Sequence, residues 1–232
     1  MNPSPEGFVS NRIEVMLCVP ALTRGGVHPR TVQSLWSLRL PPDDETVFFM
    51  PVDRPTTSSR SDAVKTAQQI EAESLLFIDS DMEFQPDLYE RLKAVPGDIV
   101  CGLFWQRRVP SFPTICIKKK APDGTDLLET ITPDGTVQDI DSCGMAATLI
   151  RKPVLDWAQY PAFQHLGAIS EDFVFCLRAK DAGFAIRCDT SIQVAHRGDI
   201  AFNGQPVLGY EGMSILSFPF GEVGDGSVLQ AV

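Results

Sequence analysis

No run of the sequence approaches the roughly 18 consecutive apolar residues of a membrane-spanning helix. Residues 1–7 have neither the basic start nor the apolar stretch of a secretory signal, so the expectation is a cytoplasmic protein without stable membrane insertion. No C-x-x-C pair occurs among the six cysteines (18, 101, 116, 143, 176 and 188). They are scattered inside apolar runs of a chain too large to need disulfide staples, which predicts buried, reduced thiols. Internal repeats and low-complexity tracts are also missing. Basic residues are in deficit: 20 Lys and Arg face 30 Asp and Glu, a formal net charge of −10. Such a surface repels a bare phosphate backbone and disfavours non-specific nucleic-acid binding. A nucleotide substrate survives that exclusion, because one divalent ion locally inverts the field.

What is present is ordinary globular composition, 44% hydrophobic and 22% charged, enough for a sizeable core. Residues 1–11, rich in Pro, Ser, Asn and Gly, read as a flexible lead-in. The apolar run 13–20, closed by Pro20, predicts a buried strand. Residues 29–40 place Val32, Leu35, Trp36 and Leu38 at helical spacing, with Pro29 near the start. A strand is expected over 46–50, a polar Ser/Thr-rich loop over 54–61, and a helix over 62–73. A strand over 75–78, a short helix over 86–94 and a strand over 99–104 follow. Strands alternating with helices of this length predict an α/β fold with a mostly parallel sheet. After Pro110 the pattern changes. Short strands over 113–119, 127–132 and 136–140, separated by Asp-Gly turns at 123–124 and 134–135, predict a small antiparallel insertion. A further strand is expected over 143–150. Residues 170–182 carry the plainest helix signals, with Ser170 as N-cap, Glu171 and Asp172 in the first turn and Gly183 at the end. Strands over 184–187 and 192–195 lead to His196.

The most informative stretch is Leu75-Leu76-Phe77-Ile78-Asp79-Ser80-Asp81. Four apolar residues bury a strand, and two acids stand at its carboxyl end, where open α/β sheets bind ligands. Acids at i and i+2 around a small residue can converge on one hard cation such as Mg²⁺ or Mn²⁺. A polar turn closing a strand would look the same, with Asp79 making an Asx turn. An EF-hand is excluded, because its sixth loop position would be Phe84 where glycine is needed. Glu171-Asp172 also suits the dipole of any helix start, and a lone histidine after a strand is ordinarily structural.

In this order, the residues resemble the GT-A fold, and more narrowly the bacterial and phage branch of family-2-type glycosyltransferases. The pattern runs from the strand ending at Pro20 through Ser59-Arg60-Ser61-Asp62, the D-S-D block, Cys101-Gly102-Leu103-Phe104 and Arg107-Arg108. It continues through the Gly144 strand, Ser170-Glu171-Asp172-Phe173-Val174-Phe175-Cys176 and Ala182-Gly183-Phe184 to His196. The resemblance implies one GT-A domain over 12–200, nucleotide-binding over about 12–105 and acceptor-facing over about 106–200. Residues 201–232 match nothing in it and are expected to form a lid or an interface. It implies Asp81 as ligand of a divalent metal, Asp79 on the donor ribose or the metal shell, and His196 as a further metal ligand. It implies Pro20, Ala21, Thr23, Asp53, Arg60, Asp79 and Ser80 around the nucleotide, and Asp172 with Glu171 facing the acceptor. Relatives often have Arg-Asn where this chain has Arg60-Ser61, and Asp53 is only the nearest acid to the end of the second strand.

The activity so implied is metal-dependent transfer from a nucleoside-diphosphate sugar, a UDP-sugar first, to an acceptor hydroxyl. The acceptor is a glycan, a small molecule, a protein or a modified nucleobase, and an oligomer is compatible with the sequence. Two other readings stand beside it. A nucleotidyltransferase acting on a sugar phosphate shares the acid-and-metal logic, although Thr23-Arg24-Gly25-Gly26 lacks the lysine and glycine spacing of a phosphate loop. A non-catalytic sugar- or nucleotide-binding module would leave the acids as structural caps.

Overall fold

The computed structural model describes residues 12–21, 26–42, 45–108, 110–120, 122, 126–198 and 228–229. In chain order its elements are β1 (Val15–Cys18), α1 (Pro29–Ser37), β2 (Thr46–Phe49), α2 (Thr56–Gln69), β3 (Ser74–Ile78) and β4 (Met82–Glu83). Next come α3 (Leu88–Ala94), β5 (Ile99–Leu103), β6 (Ile115–Lys120), β7 (Asp126–Thr130), β8 (Val137–Ile140) and β9 (Ser142–Cys143). The chain continues through β10 (Ala147–Arg151), α4 (Lys152–Trp157), α5 (Glu171–Asp181), β11 (Ile186–Gln193), β12 (Ala195–His196) and β13 (Val228–Leu229).

A seven-stranded sheet has the order β2-β1-β3-β10-β5-β11-β8. Its β1–β2, β1–β3 and β5–β11 pairings are parallel, while β10 runs antiparallel to β3 and β5, and β8 antiparallel to β11. The fold is therefore the α/β class expected, a mostly parallel sheet flanked by helices. Its strands β1, β3 and β5 are buried along their whole length because both faces are covered, whereas β11 alternates buried and more exposed residues. Met16, Cys18, Leu75 and Phe77 pack with α2 (Ala63, Val64, Ala67), α4 (Val154, Leu155) and α5 (Phe175, Cys176, Ala179). Val15, Leu17, Leu76 and Ile78 point the other way, against Leu88, Tyr89 and Leu92 of α3. All six cysteines are buried and free. No described helix is long and apolar enough to cross a membrane.

Several elements differ from the sequence-based expectation, each for a tertiary reason. Residues 56–61 are helical, not loop: Ser59, Arg60 and Ser61 are buried, and Ser61 Oγ accepts from the Phe163 amide at 3.0 Å. Long-range partners thus satisfy a turn that reads as solvent-facing. In α1 the buried residues are Thr31 and Ser34, while Trp36 is 92% exposed. Ser34 Oγ takes the Phe84 amide at 3.1 Å, which ties the polar face of the helix inward. The segment 143–150 divides at Gly144 into β9, which joins the small sheet β13-β7-β6-β9, and β10 of the main sheet. β8 leaves the antiparallel insertion and extends the main sheet along β11. The strands expected over 184–187 and 192–195 are one long strand, β11, with an irregularity between Asp189 and Gln193, followed by β12. Helix α4, six residues long, is too short to show a period. The lead-in over 1–11, the turn at 123–124 and, apart from Val228–Leu229, the tail over 201–232 lie outside the described residues.

Candidate active site

The carboxyl ends of β1, β2, β3, β5 and β11 share one rim, where a crevice of an open sheet binds its ligand. Asp79 leaves β3 there, its amide donating to the Ala146 carbonyl at 3.1 Å. The β1–β3 register (Cys18 opposite Phe77), continued by two residues, brings Pro20 beside Asp79. Ser80 accepts the His28 amide at 2.7 Å, so the start of α1 abuts the D-S-D turn.

Arg60 ties two distant parts of the chain together. Its Nη2 donates to both Asp79 oxygens at 2.9 and 3.1 Å, and its Nη1 donates to Glu171 Oε1 at 2.8 Å. Asp172 Oδ2 lies 3.8 Å from Nη1. The guanidinium is buried, which alone would lower its pKa, but the surrounding carboxylates outweigh burial and raise it. Helix α5 presents both acids in its first turn. Ser170 holds the N-cap position, yet its hydroxyl donates to Asp172 Oδ1 rather than capping a backbone amide; the Phe173 amide takes the same oxygen at 2.8 Å.

A second group forms around Asp81. The two-residue pair β12–β4 sets His196 opposite Met82, and the Arg197 amide donates to the Asp81 carbonyl at 2.6 Å. Asp81 Oδ2 then lies 3.3 Å from His196 Nε2 and 3.0 Å from Arg107 Nη1. Burial pushes the Asp81 carboxyl upward, but the hydrogen bond and charge of His196 and the charge of Arg107 prevail and hold it below the usual carboxylate range. His196 Nδ1 is 3.0 Å from the Trp105 carbonyl, an acceptor, so that nitrogen carries a proton. The other ring nitrogen, Nε2, therefore faces a carboxylate oxygen, an approach that is favourable only with a proton or a cation between the two.

The donor set thus fits a divalent ion held by Asp81 and His196, an oxygen and an imidazole. Among the described residues no group of three or more His, Cys, Asp or Glu side chains stands close enough to hold a metal, because the Asp79 carboxylate faces Arg60 instead. Water or substrate oxygens would complete the shell, as magnesium and manganese sites commonly require.

Of the residues singled out in the sequence, Arg60, Asp79, Glu171 and Asp172 form one contact group and Asp81 with His196 another, joined through the D-S-D turn. Ala21 and Asp53 pair through their backbones one strand further out, and Asp53 is exposed with φ 58°. Thr23 lies outside the described residues. Sequence reasoning gave no role to Arg107, to the Trp105 carbonyl that orients His196, or to Phe104, whose ring meets His196 edge to face at 6.3 Å. The basic pair Arg107-Arg108 shortly after a buried strand was the one available signal.

No protein family and no curated protein matches the sequence. Among solved structures the chain is similar to the crystal structure of A197 from STIV, at a TM-score of 0.62 and 17% identity. That likeness covers 88% of this chain and 98% of the other, and shows a shared fold. A weaker likeness joins it to the crystal structure of GalNAc-T7 with UDP, GalNAc and Mn2+, at a TM-score of 0.49 and 12% identity, covering 79% of this chain and 44% of that one. A likeness so low has no bearing on what this chain does.

Proposed function

We propose that the protein transfers a sugar from a nucleoside-diphosphate sugar, a UDP-sugar first, to an acceptor hydroxyl, with Mn²⁺ or Mg²⁺. The observation that supports this reading is that Arg60 joins Asp79 to Glu171 and Asp172 at the carboxyl rim of the sheet, while Asp81, two residues on, faces His196. Residues 12–105 form the donor side and residues 106–200 the acceptor side. When bound, the cation supplies Lewis-acid stabilisation of the diphosphate as negative charge grows on it.

Asp81 and His196 would hold that cation. Asp79, fixed by Arg60, borders the ribose together with Pro20, Ala21, Asp53 and Ser80. Glu171 is locked on Arg60, which leaves Asp172 as the base of an inverting reaction. The acceptor oxygen attacks the anomeric carbon while its proton passes to the Asp172 carboxylate. The bond from that carbon to the diphosphate oxygen breaks, and its electron pair leaves with the diphosphate. The acceptor falls within the classes of glycan, small molecule, protein or modified nucleobase.

The experiment is a panel of UDP- and GDP-sugars incubated with the protein in Mn²⁺ or in chelator, with release of the nucleoside diphosphate as readout. Metal-dependent release, lost by at least about 10²-fold in Asp81→Ala, is expected. Silence with every donor, together with no change in thermal midpoint on adding donor and Mn²⁺, would remove the proposal.

A further inference from the structure

Two arginines hold the acids of the D-S-D turn, and they differ in freedom. Arg60 is buried and bonded through both terminal nitrogens, whereas the Arg107 side chain is 46% exposed. Its Nη1 contacts Asp81 Oδ2, the same oxygen that His196 Nε2 approaches, and also donates to the Arg197 carbonyl at 3.0 Å. The guanidinium therefore stands on the Asp81 oxygen that faces His196, in the way of a cation that those two residues would share. Two positive groups on one carboxylate oxygen repel, and strongly at a half-buried site. Neighbouring Arg108 is held elsewhere, over the Phe112 ring at 5.1 Å.

We infer that Arg107 is a placeholder for the metal. It neutralises Asp81 in the metal-free protein, yields Oδ2 when a divalent cation is taken up, and then pairs with the diphosphate that the cation brings. This rests on the metal reading of Asp81 and His196 given above. The exchange keeps the carboxylate compensated in both states. The freed guanidinium needs no long journey, since a planar fork of donors matches phosphate oxygens bidentately and the side chain already borders the site. Arg107 in this role sets the order of events, because the diphosphate gains its arginine only after metal has displaced it.

The exchange predicts effects of opposite sign in one variant. Mn²⁺ binding, followed by electron paramagnetic resonance of the free ion, should be roughly fivefold tighter in Arg107→Ala than in wild type, the size of one surface ion pair. Inorganic pyrophosphate, added to the Mn²⁺-loaded proteins, should bind at least about tenfold more weakly to the variant. Arg107→Lys should return Mn²⁺ affinity toward wild type while leaving pyrophosphate binding weakened, because the charge is restored without the fork. A purely structural role, bracing Arg197, would loosen the Asp81–His196 pair and weaken Mn²⁺ binding. Unchanged or weaker Mn²⁺ binding in Arg107→Ala, with wild type binding normally, overturns the exchange alone. Equal Mn²⁺ binding by wild type and Asp81→Ala overturns the metal reading, and the exchange with it.

Discussion

Arg60 Nη1 lies 2.8 Å from Glu171 Oε1, a contact between residues 111 positions apart that joins the N-terminal half of α2 to the first turn of α5. Glu171 is 7% exposed and Arg60 4%, so neither charge has water to fall back on. Replacing Arg60 with methionine strands Glu171 and Asp79 together. The expected cost is about 3–5 kcal/mol, the penalty of breaking a buried ion pair from one side. Urea unfolding of Arg60→Met should show it, and a cost below about 1 kcal/mol would mean the acids find other compensation.

Asp172 differs from Glu171, which Arg60 grips at 2.8 Å, in having no tight cationic partner at either oxygen. Oδ1 is fixed by Ser170 and the Phe173 amide, while Oδ2 stands 3.8 Å from Arg60. Asp172→Asn keeps the shape and removes the proton acceptor. Transfer should fall by at least about 10²-fold with the donor KM within a few-fold of wild type. A variant that loses donor affinity but keeps kcat would move Asp172 from base to binding group.

Local signals made part of this site legible. Four apolar residues followed by two acids announce a buried strand opening on a crevice, and the Ser170-Glu171-Asp172 start of α5 reads directly from helix-start chemistry. Illegible were features settled by distant partners. The helical course of residues 56–61 in α2 depends on Arg60 meeting acids from both halves of the chain and on Ser61 meeting Phe163. The inward polar face of α1 depends on Ser34 and the Phe84 amide, and no periodicity reports that. His196 reaches Asp81 through a strand pair two residues long, below the length at which alternation can be seen.

Glu14 offers a pH test away from the site. Lys93 Nζ is 2.6 Å from Glu14 Oε1, and Tyr89 Oη donates to the same oxygen at 3.2 Å. The Lys93 hydrogen bond, with help from its charge and from Tyr89, outweighs burial and lowers the Glu14 pKa in the folded state. A lowered folded value means the stabilisation is present above the ordinary glutamate value of about 4.3 and is lost as pH falls through the folded one. Glu14→Gln should therefore be less stable than wild type at pH 7, by up to about 1 kcal/mol for a partly exposed pair. The gap in urea midpoints should close toward pH 3. A gap independent of pH would assign the effect to packing.

Gly144 marks the break between β9 and β10, its amide donating to the Thr114 carbonyl at 3.0 Å. A Cβ there would lie 2.5 Å from Phe104 Cζ and 3.5 Å from Asp172 Oδ2. The first distance is too short for any carbon pair, so the buried Phe104 ring must move in Gly144→Ala. Overpacking of this kind costs about 1–3 kcal/mol. The ring also packs against His196, so the same shift should weaken Mn²⁺ binding as well as lower the thermal midpoint. Trimming the ring separates steric from conformational causes: in a Phe104→Leu background, Gly144→Ala should cost less than half of its effect in wild type. An undiminished cost in that background would place the need for glycine in the backbone of the β9–β10 turn, not in the space that Phe104 fills.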